Sequence, residues 1–187
     1  MEPNRTQPAP SVLVVGAGPT GLMLAGELAL AGVSCRVLEL RAEESNLTRA
    51  FGVHTRTLEV LDMRGMADEL VPQGLRVPAA RPGFGKAQLD LSRLESRFPY
   101  VLIVPQARTE MLLEARARAL GVEIVRDAEV VGLRQDASGV ELTVDGPDGA
   151  KARALRDLRP NGANLAMNSP ASWKRRISAT RSALEGG

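Results

Sequence analysis

An α/β fold built on a parallel sheet is what this sequence predicts, and three observations predict it. Residues 12–15, Val-Leu-Val-Val, form a continuous apolar run of the kind found in strands buried on both faces. A helical stretch follows, with Leu22, Ala25, Gly26 and Ala29 on one side and small enough for close packing. A second apolar run, Cys35-Arg36-Val37-Leu38, then closes on Glu39. Strand, helix and strand in that order require a parallel pair joined by a right-handed crossover.

Residues 1–10 are polar and proline-rich, unlike a signal peptide, and are expected to form a disordered leader. A strand at 11–16 leads to a helix at 19–31, with Pro19 tolerated in its first turn and Gly32 ending it. The second strand spans 34–39, and residues 41–50 read as a polar loop. A helix at 55–63 points Leu58, Leu61 and Met63 inward and stops at Gly65, and a short helix covers 66–71. Residues 72–99 are rich in Pro, Gly and Arg, with strand-like pieces near 86–91. Residues 100–104 form a strand that ends at Pro105. The helix at 108–120 has Met111, Leu112, Ala115, Ala119 and Leu120 as its apolar side. Strands follow at 122–125, 128–134 and 139–145, the last alternating Val140, Leu142 and Val144. Asp136-Ala137-Ser138-Gly139 supplies hairpin-turn chemistry before it. Between 151 and 187 no strand is expected. A helix at 172–184 lacks a matching apolar face, and the segment reads as a poorly ordered tail.

Composition narrows the function classes. At 187 residues, 44% apolar and 25% charged, the chain is long enough for a real core and belongs with globular proteins. Residues 151–187 carry 8 Lys/Arg against 2 Asp/Glu, whereas residues 1–150 carry 16 against 20. The part with folding pattern is therefore mildly acidic. Nucleic-acid binding would rest on the tail alone, with only Trp173 to stack on bases, so no nucleic-acid partner is expected. A lone cysteine, Cys35, excludes an internal disulfide framework and a cysteine-rich metal site. A lone histidine, His54, argues against a histidine triad or a multi-histidine metal site, and it is assigned no role. Glu27 interrupts the longest apolar stretch, so no membrane span is expected and a cytoplasmic location is the default.

The chemistry concentrates in the first turn. Glycines at 16, 18 and 21 stand in Gly16-Ala17-Gly18-Pro19-Thr20-Gly21, between the first strand and its helix. The first allows the tight turn, the second lets a pyrophosphate approach the backbone, and the third brings helix and strand close. The helix start adds unpaired N–H groups and a partial positive charge. Glu39, 18 residues after Gly21, is placed to accept hydrogen bonds from a ribose diol. Together these make a Rossmann-like dinucleotide-binding βαβ unit. The glycines could also serve the turn alone. Arg49 taken alone reads as a solvated loop residue, Gln106 as a helix-entry residue, and Val130 as core.

Several separated stretches resemble the flavin-dependent aromatic hydroxylases, the group A monooxygenases, and within them the branch acting on polyketides and rifamycin-type antibiotics. They are residues 14–22, Leu38-Glu39, Thr48-Arg49-Ala50, Arg56-Thr57-Leu58-Glu59-Val60-Leu61, Val104-Pro105-Gln106, Thr109-Glu110, Gly121-Val122-Glu123-Ile124 and residues 128–133. The resemblance covers roughly 11–150. It implies an FAD-binding domain at 11–150, with 72–100 starting the substrate layer, followed by the basic tail at 151–187. It implies that Gly16, Ala17, Gly18, Pro19, Thr20 and Gly21 wrap the FAD pyrophosphate and that Glu39 holds the adenosine ribose. Arg49 would contact the cofactor near the pyrophosphate and flavin side, Gln106 the ribityl chain, and the main chain of Val130 the adenine. It further implies NAD(P)H as reductant, O2 as co-substrate and hydroxylation of an aromatic or polyketide-type small molecule, with no side chain required as acid, base or nucleophile. Residues 159–164, Arg-Pro-Asn-Gly-Ala-Asn, stand near a family Asp-Gly motif but offer Asn for Asp, and a later Gly-Asp motif is missing. The fold is therefore expected to be truncated before the substrate domain is complete, leaving a sheet edge unpaired. Two alternatives stay open: an inactive remnant with weak nucleotide binding, and an NAD(P)-dependent Rossmann reductase.

Overall fold

The computed structural model describes residues 10–43, 51–80, 88–136, 139–145 and the backbone of 164–167. In chain order the elements are β1 (Val12–Val15), α1 (Pro19–Leu30), β2 (Cys35–Leu38), β3 (Gly52–Val53), α2 (Thr55–Asp62), α3 (Ala67–Leu70), β4 (Leu75–Val77) and β5 (Ala79–Ala80). There follow β6 (Leu89–Asp90), β7 (Val101–Ile103), α4 (Gln106–Ala119), β8 (Glu123–Val125), β9 (Glu129–Asp136), β10 (Gly139–Asp145) and β11 (Asn164–Met167). They fall into two compact units, one within Met1–Glu44 and Leu113–Gly187, the other within Ser45–Leu112.

The first unit holds a four-stranded parallel sheet in the order β11-β1-β2-β8. Leu13, Val14 and Val37 are fully buried, as expected for strands covered on both faces. Helix α1 follows β1 and buries Gly21, Leu22, Ala25 and Gly26, close to the predicted side. Strands β9 and β10 form an antiparallel hairpin, with a register irregularity between Thr143 and Val144. Val140, Leu142 and Val144 alternate inward and join Leu13, Leu38, Ala128 and Val130 in one apolar cluster. Full burial of such side chains contributes about 1.5–3 kcal/mol each. Cys35 is likewise buried and its thiol donates to the Ala25 carbonyl at 3.5 Å; burial pushes that thiol up from its ordinary value.

The second unit holds a three-stranded antiparallel sheet, β3-β7-β4, and the small pair β5-β6. Its core includes Leu58, Leu61, Ala67, Leu70, Phe98 and Leu102, with Phe98 and Tyr100 packed edge to face at 6.2 Å between ring centroids. Arg97 pairs with both Asp62 and Asp68, fastening the connection before β7 to the ends of α2 and α3. Gly74 sits where a Cβ would lie 2.8 Å from the Ile103 carbonyl oxygen, so a side chain there collides with β7.

Three sequence expectations need correction. Within 151–187 there is a strand, β11, paired parallel to β1 from Val12↔Asn164 to Val15↔Met167. Asn-Leu-Ala-Met is short and poor in β-branched residues, so its local pattern carries little strand signal. Among the described residues β1 is consequently paired on both sides. Helix α4 does not bury the Met111, Ala115 and Ala119 stripe; Met111 is 44% exposed, while Thr109, Leu112, Leu113 and Ala117 are buried. Both stripes recur at helical spacing and hold alanines, and the buried one also takes in Glu114, whose charge is paired. Met63 is 62% exposed, since α2 has ended at Asp62. The expected leader, most of the 41–50 loop, the hairpin turn residues Ala137 and Ser138 and the 172–184 helix lie outside the described residues.

Two helical glycines separate packing from propensity. A Cβ at Gly21 would stand 2.1 Å from the Gly16 carbonyl oxygen, whereas one at Gly26 meets nothing within 4 Å. Gly26→Ala is expected to raise stability by about 0.5–1 kcal/mol through helix propensity. Gly21→Ala is expected to lower it by about 1–3 kcal/mol through overpacking. Urea unfolding followed by circular dichroism checks both, and equal effects of one sign would contradict the packing described here.

Candidate functional site

The turn from β1 into α1 is built by backbone geometry. Gly16 has φ 99°, which favours glycine, and its N–H donates to the Leu38 carbonyl at 2.7 Å. Gly18 is the N-cap residue in extended conformation, and Pro19 follows at the first helical position with φ pre-set and no N–H to leave unpaired. Pro19 is half-buried and Thr20 exposed. No acidic side chain stands in the first turn of α1. The positive end of the helix therefore carries no carboxylate of its own there, which leaves it suited to an incoming anion.

Glu39, one residue past β2, faces this turn and is 5% exposed. Its Oε2 accepts from the Ala17 N–H at 2.6 Å. Its Oε1 accepts from the Arg41 N–H at 3.1 Å and from Arg41 Nε at 2.8 Å. The Glu39 main chain is also held: its N–H donates to the Val125 carbonyl at 2.8 Å, and its carbonyl accepts from Ala128 N–H at 3.0 Å. Burial pushes the carboxyl up, but the Arg41 side-chain bond, the Ala17 and Arg41 amides and the Arg41 charge outweigh it. The carboxyl is held below the ordinary glutamate value. Asp127 takes a left-handed φ of 54°, which Asp tolerates better than most residues, and brings the start of β9 against Glu39 and Arg41.

A second polar cluster flanks this end of the sheet. Glu114 of α4 is 8% exposed, yet its Oε1 accepts two bonds from Arg118, at 2.9 and 2.7 Å, and its Oε2 pairs with Arg126. Arg126 in turn reaches the Glu43 carbonyl at 3.4 Å. Buried charge is tolerated because it is paired, and the cluster fastens the chain that leaves Arg41.

The predicted site residues separate into three groups. Gly16, Ala17, Gly18, Pro19, Thr20, Gly21 and Glu39 are brought together, and Val130 lies near them, buried with Leu38 in one cluster. Gln106 belongs to the second unit and opens α4, where its Nε2 donates to Glu110 Oε1 at 2.7 Å. Arg49 lies outside the described residues. Arg41 is the residue that sequence reasoning passes over. Its only sequence signal is a position two residues beyond the acid, in a segment that reads as a polar loop.

The residues present suit the adenosine diphosphate half of a dinucleotide. The turn offers a glycine at the helix entrance, the first turn of α1 holds no acid, and Glu39, on the Ala17 amide, is an ionised, anchored acceptor. Residues 10–156 match the family model described as FAD binding domain. The chain is 47% identical over 138 residues to 12-dehydrotetracycline 5-monooxygenase/anhydrotetracycline 6-monooxygenase of Streptomyces rimosus, covering 74% of this chain and 27% of that protein. It is 48% identical over 143 residues to rifampicin monooxygenase of Streptomyces venezuelae, covering 76% of this chain and 30% of that one. Among solved structures it is similar to the anhydrotetracycline hydroxylase of Streptomyces rimosus, with a TM-score of 0.77 and 41% identity over 86% of this chain and 32% of the other. The chain thus spans roughly a quarter to a third of the length of these relatives. A nicotinamide-dependent reductase reading finds no support in these likenesses. No helix among the described residues is long and apolar enough to cross a membrane.

The Glu39 contacts have a pH signature. A carboxyl that titrates lower in the folded than in the unfolded chain stabilises fully above its unfolded value and loses that effect as pH falls through the folded one. Wild type is therefore expected to exceed Glu39→Gln in urea midpoint at neutral pH, with the gap closing below the ordinary glutamate range. A gap that stays constant from neutral to acid pH would show that the ionised carboxylate is not the stabilising species.

Proposed function

The chain belongs to the FAD binding domain family, and from that premise we propose that its β1–α1 turn and Glu39 hold the adenosine diphosphate half of FAD. The enzyme it serves hydroxylates an aromatic or polyketide-type small molecule, with O2 as co-substrate and NAD(P)H as reductant, in the cytoplasm. One observation carries the reading. The Glu39 carboxylate is hydrogen-bonded to the Ala17 amide inside the glycine turn, so ribose acceptor and phosphate donors belong to one rigid piece.

The geometry of the turn and the family resemblance support the following roles. The pyrophosphate lies over Gly16, Ala17, Gly18, Pro19, Thr20 and Gly21 at the helix entrance, where amides and helix dipole meet its charge. Glu39 accepts from the ribose, and the main chain at Val130 faces the adenine. Arg49 beside the pyrophosphate and Gln106 at the ribityl chain are assignments supported by the family resemblance alone. Residues 11–150 form the FAD-binding portion, with 72–100 beginning the layer that meets substrate.

FAD supplies the redox and oxygen chemistry when it is bound, and the chain's own residues bind and orient it. Every group assigned here works by position and charge; none is asked to move a proton.

Titration of the purified chain with FAD, followed by quenching of flavin fluorescence, tests the assignment. Wild type is expected to quench. Gly18→Val is expected to weaken binding by at least about 10-fold, as when one or two charge-assisted bonds of about 1.5–3 kcal/mol are lost. Equal affinity in both would place the cofactor elsewhere.

A further inference from the structure

A carboxylate has about four acceptor positions on two chemically identical oxygens, and its terminal torsion is broad and two-fold. Left to itself, Glu39 could turn its carboxylate and share its oxygens among any nearby donors. Arg41 removes that freedom. Its main-chain N–H and its side-chain Nε–H both grip Oε1, at 3.1 and 2.8 Å. The other oxygen, Oε2, is thereby turned to the Ala17 amide at 2.6 Å. Oε1 has both of its acceptor positions filled, and Oε2 keeps one beside the glycine turn. Glu39 is almost enclosed, with its side chain 7% exposed, whereas the Arg41 side chain is 38% exposed. The guanidinium therefore closes over the acid from the solvent side.

We propose that Arg41 is a positioning residue for nucleotide recognition: by occupying Oε1 it fixes Oε2 as the single acceptor offered to one ribose hydroxyl. The inference rests on the reading of this turn as the adenosine diphosphate site and adds to it a cause for the orientation of Glu39. It also separates two duties within one ion pair. The acid reads the sugar, and the arginine decides which oxygen does the reading. A lysine in its place carries the charge but lacks the planar fork that aligns Nε with the carboxylate.

The test compares FAD with its 2′-deoxyadenosine and 3′-deoxyadenosine analogues on the full chain, in wild type, Arg41→Gln and Arg41→Lys. Dissociation constants come from flavin fluorescence, and the readout is the ratio of analogue to FAD within each protein. That ratio is insensitive to the fraction of a variant that is folded. In wild type one analogue is expected to bind about 10-fold or more weakly, the effect of losing a hydrogen bond to a charged group. In Arg41→Gln that ratio is expected to fall below about 3-fold, with Arg41→Lys between the two. An Arg41→Gln protein that loses affinity for FAD and analogues in equal proportion, keeping the wild-type ratio, overturns the positioning role and leaves the site assignment standing. Wild type that binds FAD but discriminates against neither analogue removes Glu39 from the ribose. Wild type that does not bind FAD overturns the site itself, and the inference with it.

Discussion

The hydrogen bond from the Ala17 amide to Glu39 is the constraint on which the candidate site depends. It joins the turn after β1 to the residue after β2, two points 22 positions apart in the chain. Along their length the strands of this sheet are joined by backbone ladders that many apolar sequences can make. Here a buried acid makes the connection, and removal of its partner would leave a desolvated charge. The glycine turn is thereby held in the shape that an anion requires before any anion arrives. Such pre-organisation lowers the ordering cost that binding must overcome.

Much of this was legible in the sequence, for physical reasons that can be named. Residues 12–15 are apolar without interruption and 35–38 are apolar apart from Arg36, the pattern expected of short strands buried on both faces. Gly16 and Gly21 announce themselves because no other residue satisfies a φ of 99° or an approach that would put a Cβ at 2.1 Å. The alternation of Val140, Leu142 and Val144 gave the hairpin strand its inward face. Short strands were harder. β4 and β5 are three and two residues long, the first largely exposed and the second half-buried, so no periodicity had room to develop.

The misplaced face of α4 teaches a different lesson. Glu114 interrupts what hydrophobicity alone would bury, and the stripe of Met111, Ala115 and Ala119 has no such acid. The helix tolerates the acid because Arg118 lies one turn away and Arg126 comes from beyond β8. A partner one turn along can be found by spacing. A partner reached through the fold cannot. Arg41 escaped notice for a related reason: its value lies in which oxygen it grips, and composition is blind to that.

The place of β11 carries a consequence for how the molecule is made. β1 is flanked by β2, which follows it closely, and by β11, which emerges from the ribosome much later. At about 5–20 residues per second, some 125 residues separate the two partners by roughly 6–25 s. Throughout that interval one side of the nascent sheet offers an open ladder to any neighbouring extended peptide. Chaperone engagement during translation should therefore centre on β1, and co-translational aggregation should be sensitive to the time at which Asn164–Met167 arrives.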